Sequence, residues 1–384
     1  MKKVKIAVFF GGKISKHLVL VRNAARKMGV QLDLVSYNKV CFETGENKVK
    51  IRSNIKTHTS CESGTPSLEK GGFEMKDASD YDVLFFRTTG KHWEEVDLII
   101  SGINPPAPVD TGAPSLDKEG RTRPIVVDPL VRFGKPSMAC KAWQMLALKK
   151  AGIEVPKTIY GSLWYLYKVM DMAHQQNFSC SRPRTNATRM TARENFTDSS
   201  FKFPVIIKGS GGDRGTRVFR ANNLAELEKL VRDLRKSETE EGKRYMLQEY
   251  IENEGDYRVL VLGEKVLGVM KRTSQSKSEF RNNYSVGGKV EVADLPEEVK
   301  KLAVKAAKVC GLSVAGVDVM AKNPSGLRPA PLDRGAAKEM SNNPNDYVIL
   351  EVNKGPQFSG FMKATGIDVP MEIVKYLVSL AQSP

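Results

Sequence analysis

Three oxygen-bearing side chains sit where a hydrophobic core is expected. Asp318 lies within LSVAGVDVM (312–320), and Glu351 and Asn353 close YVILEVN (347–353). Alternate side chains of a strand share a face, so Glu351 and Asn353 point the same way about 7 Å apart. If the two runs pair, Asp318 joins that face. A few oxygen-only ligands suit Mg²⁺, which keeps waters and shares its octahedron with substrate phosphates. One such carboxylate reads better as a strand end meeting Lys or Arg. Three together favour a metal, because unpaired carboxylates are rarely buried.

A second stretch has phosphate chemistry in it. FPVIIK (203–208) runs into GSGGDRGTRV (209–218), with four glycines within seven residues. Such glycines let backbone N–H groups approach phosphate oxygens, and a plain hairpin would need only two. No GxxxxGK[ST] occurs in the chain, so a P-loop is excluded. Gly11–Gly12 lacks the third glycine of a dinucleotide fingerprint and reads as a tight turn.

The elements that must position these residues follow from periodicity. Residues 4–10, 32–37, 81–86 and 124–128 read as strands and 15–28 as a helix, which suggests a small open α/β layer. Polar Gly/Pro-rich stretches lie at 53–79 and 104–123. Residues 137–151 read as a helix ended by Gly152, 163–175 as another, and 177–202 as an inserted polar loop. Helix 224–236 carries Leu224, Leu227, Leu230, Val231 and Leu234 on one face, with Asn223 as its cap. MLQEYI (246–251), DYRVLVLG (256–263) and KVLGVMKR (265–272) read as successive strands, followed by a polar loop holding FRNN (280–283). Helix 296–310, the two acidic strands separated by a polar insertion at 323–346, and helix 368–380 complete the chain.

At 384 residues, with 41% hydrophobic and 27% charged residues, the chain reads as two or three soluble domains. No run of eighteen apolar residues suggests a membrane span. Five scattered cysteines without a CxxC pair fit a reducing cytoplasm, and the sequons at Asn177, Asn186 and Asn195 then read as chance matches. Four isolated histidines offer no catalytic or metal cluster. The net charge of +16 is uneven: residues 1–60 hold thirteen Lys/Arg against three acids, whereas 61–100 hold four against nine. A basic face attracts an anionic partner, but without interleaved aromatics it does not support a dedicated nucleic-acid platform.

With FPVIIK, the glycine stretch, LQEYI, DYRV, FRNN with its glycine pair, AGVDVM and ILEVN in that order over about 141–369, the chain resembles RimK-like ligases of the ATP-grasp superfamily. The resemblance implies an ATP-grasp fold, α/β and α+β, preceded by a small open α/β domain. The expected division is 1–135, then 136–245 with the glycine loop, then 246–384 with the metal site. The resemblance also implies roles. Lys141 and Lys208 would meet the ATP phosphates, and Gly211, Gly212 and Gly215 would cover them. Gln248, Glu249, Tyr250 and Ile251 would form the adenine hinge, Asp256 would bind ribose, and Asn283 would belong to the nucleotide site. Asp318, Glu351 and Asn353 would hold Mg²⁺, with Mn²⁺ as a substitute. Arg258, Arg272 and Arg281 would face phosphate or a substrate carboxylate.

The implied chemistry is ATP-dependent joining of a carboxylate to an amine through an acyl phosphate. One substrate is expected to be an amino acid such as glutamate, and the basic N-terminal domain suggests an anionic peptide, protein or metabolite as acceptor. Phosphoryl transfer to a hydroxyl and a non-catalytic nucleotide-binding scaffold stand as alternatives. Three features depart from the family pattern: Arg217 in place of the last loop glycine, KGPQFSG after Asn353 with Gln357 in place of a glycine, and the insertions 177–202 and 323–346. Oligomeric state is not legible.

Overall fold

The computed structural model describes residues 3–43, 48–54, 73–87, 92–103, 124–129, 140–179, 201–210, 217–274, 288–322 and 341–382. The N-terminal part contains β1 (Lys5–Phe10), α1 (Lys16–Lys27), β2 (Gln31–Ser36), β3 (Val40–Glu43), β4 (Lys48–Asn54), β5 (Phe73–Asp77), β6 (Val83–Phe86), α2 (Trp93–Gly102) and β7 (Ile125–Val127). Four parallel strands run in the order β2-β1-β6-β7. Both faces are covered, which is why β1 reads as a continuous apolar run. Ile6, Val8 and Phe10 enter one core with Leu18 and Val21 of α1, while Ala7 and Phe9 enter another with Val96, Ile99 and Ile100 of α2. Strand order reverses between β1 and β6, and ligands of open α/β sheets bind beyond the carboxyl ends at such a point. Gly11, Arg87 and Asp128 follow β1, β6 and β7 there.

The middle part contains α3 (Lys141–Lys150), β8 (Thr158–Gly161), α4 (Leu163–Ser179), β9 (Val205–Gly209), β10 (Val218–Ala221), α5 (Leu224–Thr239) and β11 (Tyr245–Glu249). Its antiparallel sheet has the order β10-β9-β11-β8. Period-two alternation divides the faces. Val205, Ile207, Ala221, Tyr245 and Leu247 pack with α4 and α5, leaving Ile206, Lys208, Arg220 and Gln248 on the opposite face. Asn223 caps α5 through Oδ1, which accepts from Glu226 N at 2.9 Å.

The C-terminal part contains β12 (Asp256–Leu262), β13 (Lys265–Thr273), β14 (Lys289–Ala293), α6 (Glu297–Val309), β15 (Val314–Ala321), β16 (Tyr347–Lys354), α7 (Ser359–Thr365) and α8 (Val369–Gln382). A five-stranded sheet has the order β14-β13-β12-β15-β16. One face (Val259, Val261, Val269, Ala315, Val317, Val319) is sealed by α6 and by Met145 and Leu148 of α3. The other face is divided along the strands. At one end Leu260, Met270 and Val314 join Phe358, Phe361 and the α1–α8 core, and at the other the side chains are charged.

Several expectations change. The stretch 53–79 is not all loop, because β5 lies within it and joins β3 and β4 in a separate antiparallel sheet. Each of β4 (KVKIRSN) and β5 (FEMKD) carries only two apolar residues, too short a run for an apolar-periodicity reading to single out. Helix α4 continues to Ser179, into the expected insertion 177–202, and Pro344–Asp346 at the end of 323–346 form a 3₁₀ turn. β14 and α7 add two elements not anticipated. Helix α3 packs through Met145 and Leu148 on the C-terminal sheet. Among the described residues no helix is long and apolar enough to cross a membrane.

Candidate functional site

The polar end of the C-terminal sheet is built by strand register. Arg258, Asp318 and Glu351 stand opposite one another across β12, β15 and β16, and Asn353 stands opposite Gly316 one step along. Asp256 of β12 stands opposite Arg272 of β13. Antiparallel partners share a face, so these charged groups converge although they are far apart in sequence.

Their contacts are close. Asp318 is 5% exposed; its Oδ1 accepts from Arg258 Nε and its Oδ2 from Arg258 Nη2, both at 2.7 Å. Arg272 Nη2 lies 3.1 Å from the same Oδ2, and Asn353 Nδ2 donates to it at 3.1 Å. Arg272 also forks onto Asp256, from Nε to Oδ1 at 2.6 Å and from Nη2 to Oδ2 at 2.8 Å. Fork geometry of this kind is what a planar guanidinium supplies and an ammonium does not. Burial pushes the Asp318 carboxyl up, but Arg258 and Arg272 outweigh it and hold the group at about 2. Burial alone would push Arg272 down, and Asp318 and Asp256 together raise it above its ordinary value.

Two glycines make the crowding feasible. Gly316 lies under Arg258: a Cβ there would stand 3.4 Å from Arg258 Cδ and 2.9 Å from Pro356 Cβ. Gly255, just before Asp256, has φ +120, and a Cβ would stand 2.5 Å from Arg272 O. L side chains rarely adopt that backbone. Gly255→Ala is therefore expected to lower stability by about 2 kcal/mol or more, read as a lower urea midpoint at unchanged slope. A midpoint within error of the native protein would show that the turn relaxes without cost.

The lysines approach from the other elements. Lys141, first residue of α3, reaches Glu351 Oε1 at 3.1 Å, and its backbone N–H donates to Ser210 O at 3.3 Å, tying α3 to the start of the glycine stretch. Lys208 occupies the open face of β9 opposite Met246 and Val218. Burial pushes its ammonium down; Lys141 adds to this, while Glu351, Asp318 and Asp256 oppose it. The structure thus brings Lys141, Lys208, Asp256, Arg258, Arg272, Asp318, Glu351 and Asn353 into one electrostatic cluster. Gln248 and Glu249 lie at the end of β11, where Gln248 Nε2 donates to Thr158 Oγ1 at 2.9 Å and Glu249 Oε1 accepts from Lys157 N at 2.8 Å. Tyr250 carries the Arg220 guanidinium 4.3 Å above its ring, and Ile251 O accepts from Asn253 Nδ2. Gly211, Gly212, Gly215, Arg281 and Asn283 lie outside the described residues.

Among the described residues no three His, Cys, Asp or Glu side chains gather as a metal cage. The candidate donor set is two carboxylates and one amide. Among the described residues Asp318 Oδ1 accepts from Arg258 Nε, and Glu351 keeps 22% of its side chain exposed. Hard oxygens in small number fit Mg²⁺ better than a soft or all-protein site would.

A second charged cluster, not anticipated from sequence, lies where the N-terminal sheet meets the segment after β16. Arg87 Nη2 donates to Gly355 O at 3.3 Å. Asp128 takes Ser313 N at 2.5 Å and Val314 N at 3.1 Å. Burial pushes Lys354 down to about 7, with Asp128 opposing. Neither motif nor spacing singles out Arg87, Asp128 or Lys354.

Residues 140–327 match the model of the RimK-like ATP-grasp domain. A "probable alpha-L-glutamate ligase" of Syntrophotalea carbinolica is 34% identical over 176 residues, covering 45% of this chain and 50% of that protein. "Probable alpha-L-glutamate ligase 2" of Pseudoalteromonas atlantica is 32% identical over 203 residues, covering 52% and 59%. The chain spans about half the length of the curated relatives it matches. Among solved structures, the ATP-grasp ligase PsnB complexed with minimal precursor, Mg and ADP aligns over 99% of both chains at TM-score 0.55 and 15% identity. The macrocyclase MdnC bound with precursor peptide MdnA, from Microcystis aeruginosa, aligns over 98% of this chain and 99% of that one at 0.54 and 13%. At such identities these likenesses establish the fold.

Proposed function

We propose, from the match of residues 140–327 to the RimK-like ATP-grasp domain, that the protein is an ATP-dependent carboxylate–amine ligase. The observation that carries this reading is the cluster itself: four cations and three carboxylates converge beside the glycine stretch. Such a surface neutralises a triphosphate and leaves oxygen donors for a divalent ion.

In this reading Lys141 and Lys208 meet the phosphates. Burial pushes the Lys208 ammonium down, so an incoming anion favours its charged form. Asp318, Glu351 and the Asn353 carbonyl would hold Mg²⁺, which when bound supplies charge neutralisation at the β- and γ-phosphates. Arg258 and Arg272 keep Asp318 ionised and oriented. Gln248, Glu249, Tyr250 and Ile251 form the adenine edge. A substrate carboxylate oxygen attacks the γ-phosphorus and ADP leaves. An amine nitrogen then attacks the acyl carbon, phosphate leaves with the original carboxylate oxygen, and the amine proton passes to solvent. The protein supplies position and electrostatics rather than a nucleophile. The names of the relatives make glutamate the first amino acid to test, and the basic N-terminal residues favour an anionic acceptor.

The test is ADP, AMP and product mass measured together, with Mg²⁺-ATP and single amino acids, with and without acidic peptides. ADP plus phosphate and a product joined by loss of one water supports the reading. A phosphorylated product without an amine requirement replaces it with a kinase, and ATP binding without turnover across the panel replaces it with a scaffold.

A further inference from the structure

The guanidiniums at the centre of the site are already committed. Arg258 spends Nε and Nη2 on Asp318, and Arg272 spends the same atoms on Asp256. Arg87 differs. It is 7% exposed, and among the described residues its Nη1 has no hydrogen-bond partner. A buried N–H left unsatisfied costs about 1–3 kcal/mol, more than a purely packing role would justify.

Its position is equally specific. Arg87 follows β6 at the reversal of strand order in the N-terminal sheet, with its backbone N–H on Phe9 O at 2.9 Å. Gly355 lies flat against the guanidinium: a Cβ on Gly355 would stand 3.1 Å from Arg87 Cζ and from Nε, and φ there is +57. Asp128, the nearby carboxylate, is held by Ser313 N and Val314 N. Gly355 is two residues beyond Asn353, at most about 7 Å along an extended chain. Arg87 therefore lies against the segment that leads out of the candidate metal site, at Gly355.

We infer that Arg87 is a specificity residue that binds the carboxylate of the amino acid supplying the amine, holding that amine toward the activated acyl carbon. The inference rests on the ligase reading and adds the substrate class and the residue that selects it. The carboxylate here is a spectator, so amidating it leaves the chemistry intact and removes only the group Arg87 recognises. An amide carries no charge for the guanidinium and cannot accept at both oxygens.

The experiment compares native protein, Arg87→Lys and Arg87→Met, each assayed for ADP release with amino acids and with their carboxyl amides. KM and kcat are separated, KM for ATP is measured alongside, and product structure identifies which group was joined. The native protein is expected to prefer acid over amide by roughly 10- to 100-fold in kcat/KM. Arg87→Met should raise KM for the acid by a similar factor, leave KM for ATP within about threefold, and treat acid and amide alike. Arg87→Lys, which keeps the charge, should recover part of the preference, and it carries the test if Arg87→Met does not fold. Equal use of acid and amide by the native protein overturns the inference, as does undiminished preference in the variants or entry of the amino acid through its carboxyl; each of these leaves the ligase reading standing. No ADP release with any amino acid overturns both.

Discussion

Glu351→Gln is expected to reduce ATP turnover by at least ~10²-fold while lowering the thermal midpoint only slightly, whereas Asp318→Asn should lose both turnover and stability. The sequence alone treats the two carboxylates as equivalent, and their surroundings separate them. Among the described residues Glu351 pairs with Lys141 and has 22% of its side chain exposed, so losing its charge costs about 1 kcal/mol. Asp318 is buried and engaged by Arg258, Arg272 and Asn353. Breaking a buried pair from one side strands charge, at about 3–5 kcal/mol. The pH dependence gives an independent reading of Asp318. Its folded pKa, about 2, lies below the ordinary value of ~3.9. Its stabilisation is then complete above the ordinary value and lost as pH falls toward 2. The native protein should lose stability across that window more steeply than Asp318→Asn does. Near-native turnover by Glu351→Gln would remove the carboxylate from the metal assignment, and equal acid sensitivity of native and Asp318→Asn proteins would remove the electrostatic argument.

The second large effect concerns Arg272 and Asp256. Arg272→Met should cost about 3–5 kcal/mol, because Asp256 is left buried without its forked partner. Asp256→Leu/Arg272→Met should regain most of the lost thermal midpoint, since apolar replacement of both partners removes the desolvation problem. Turnover should stay low in the double variant, because Arg272 also engages Asp318 Oδ2 at 3.1 Å. ATP affinity decides between two roles for Asp256. Family resemblance points to ribose, while its geometry commits both carboxylate oxygens to Arg272. Retained affinity in the stable double variant identifies a supporting pair, and a tenfold or greater loss identifies a nucleotide contact. A double variant as unstable as Arg272→Met would show that the pair is not the source of the loss.

Much of this site was written along the chain. The alternation of VDVM and ILEVN decides which side chains share a face, because strand geometry has a period of two regardless of context. The cap at Asn223 is a local signal of the same kind, and the parallel N-terminal strands are legible because both their faces are apolar. Strands with only two or three apolar residues carry too short a mark, so β3–β5 and β14 were not read from the chain. The tertiary structure decided what the charges do. Only the register of β12, β13, β15 and β16 reveals that Arg258 and Arg272 are spent on Asp318 and Asp256, since salt-bridge partners 16 and 60 residues apart leave no trace in spacing. Only the meeting of the N-terminal sheet with the segment after β16 brings Arg87 to Gly355, across 268 residues of sequence. Local periodicity is a property of the backbone and can be read one strand at a time; partnership between buried charges depends on which strands lie side by side.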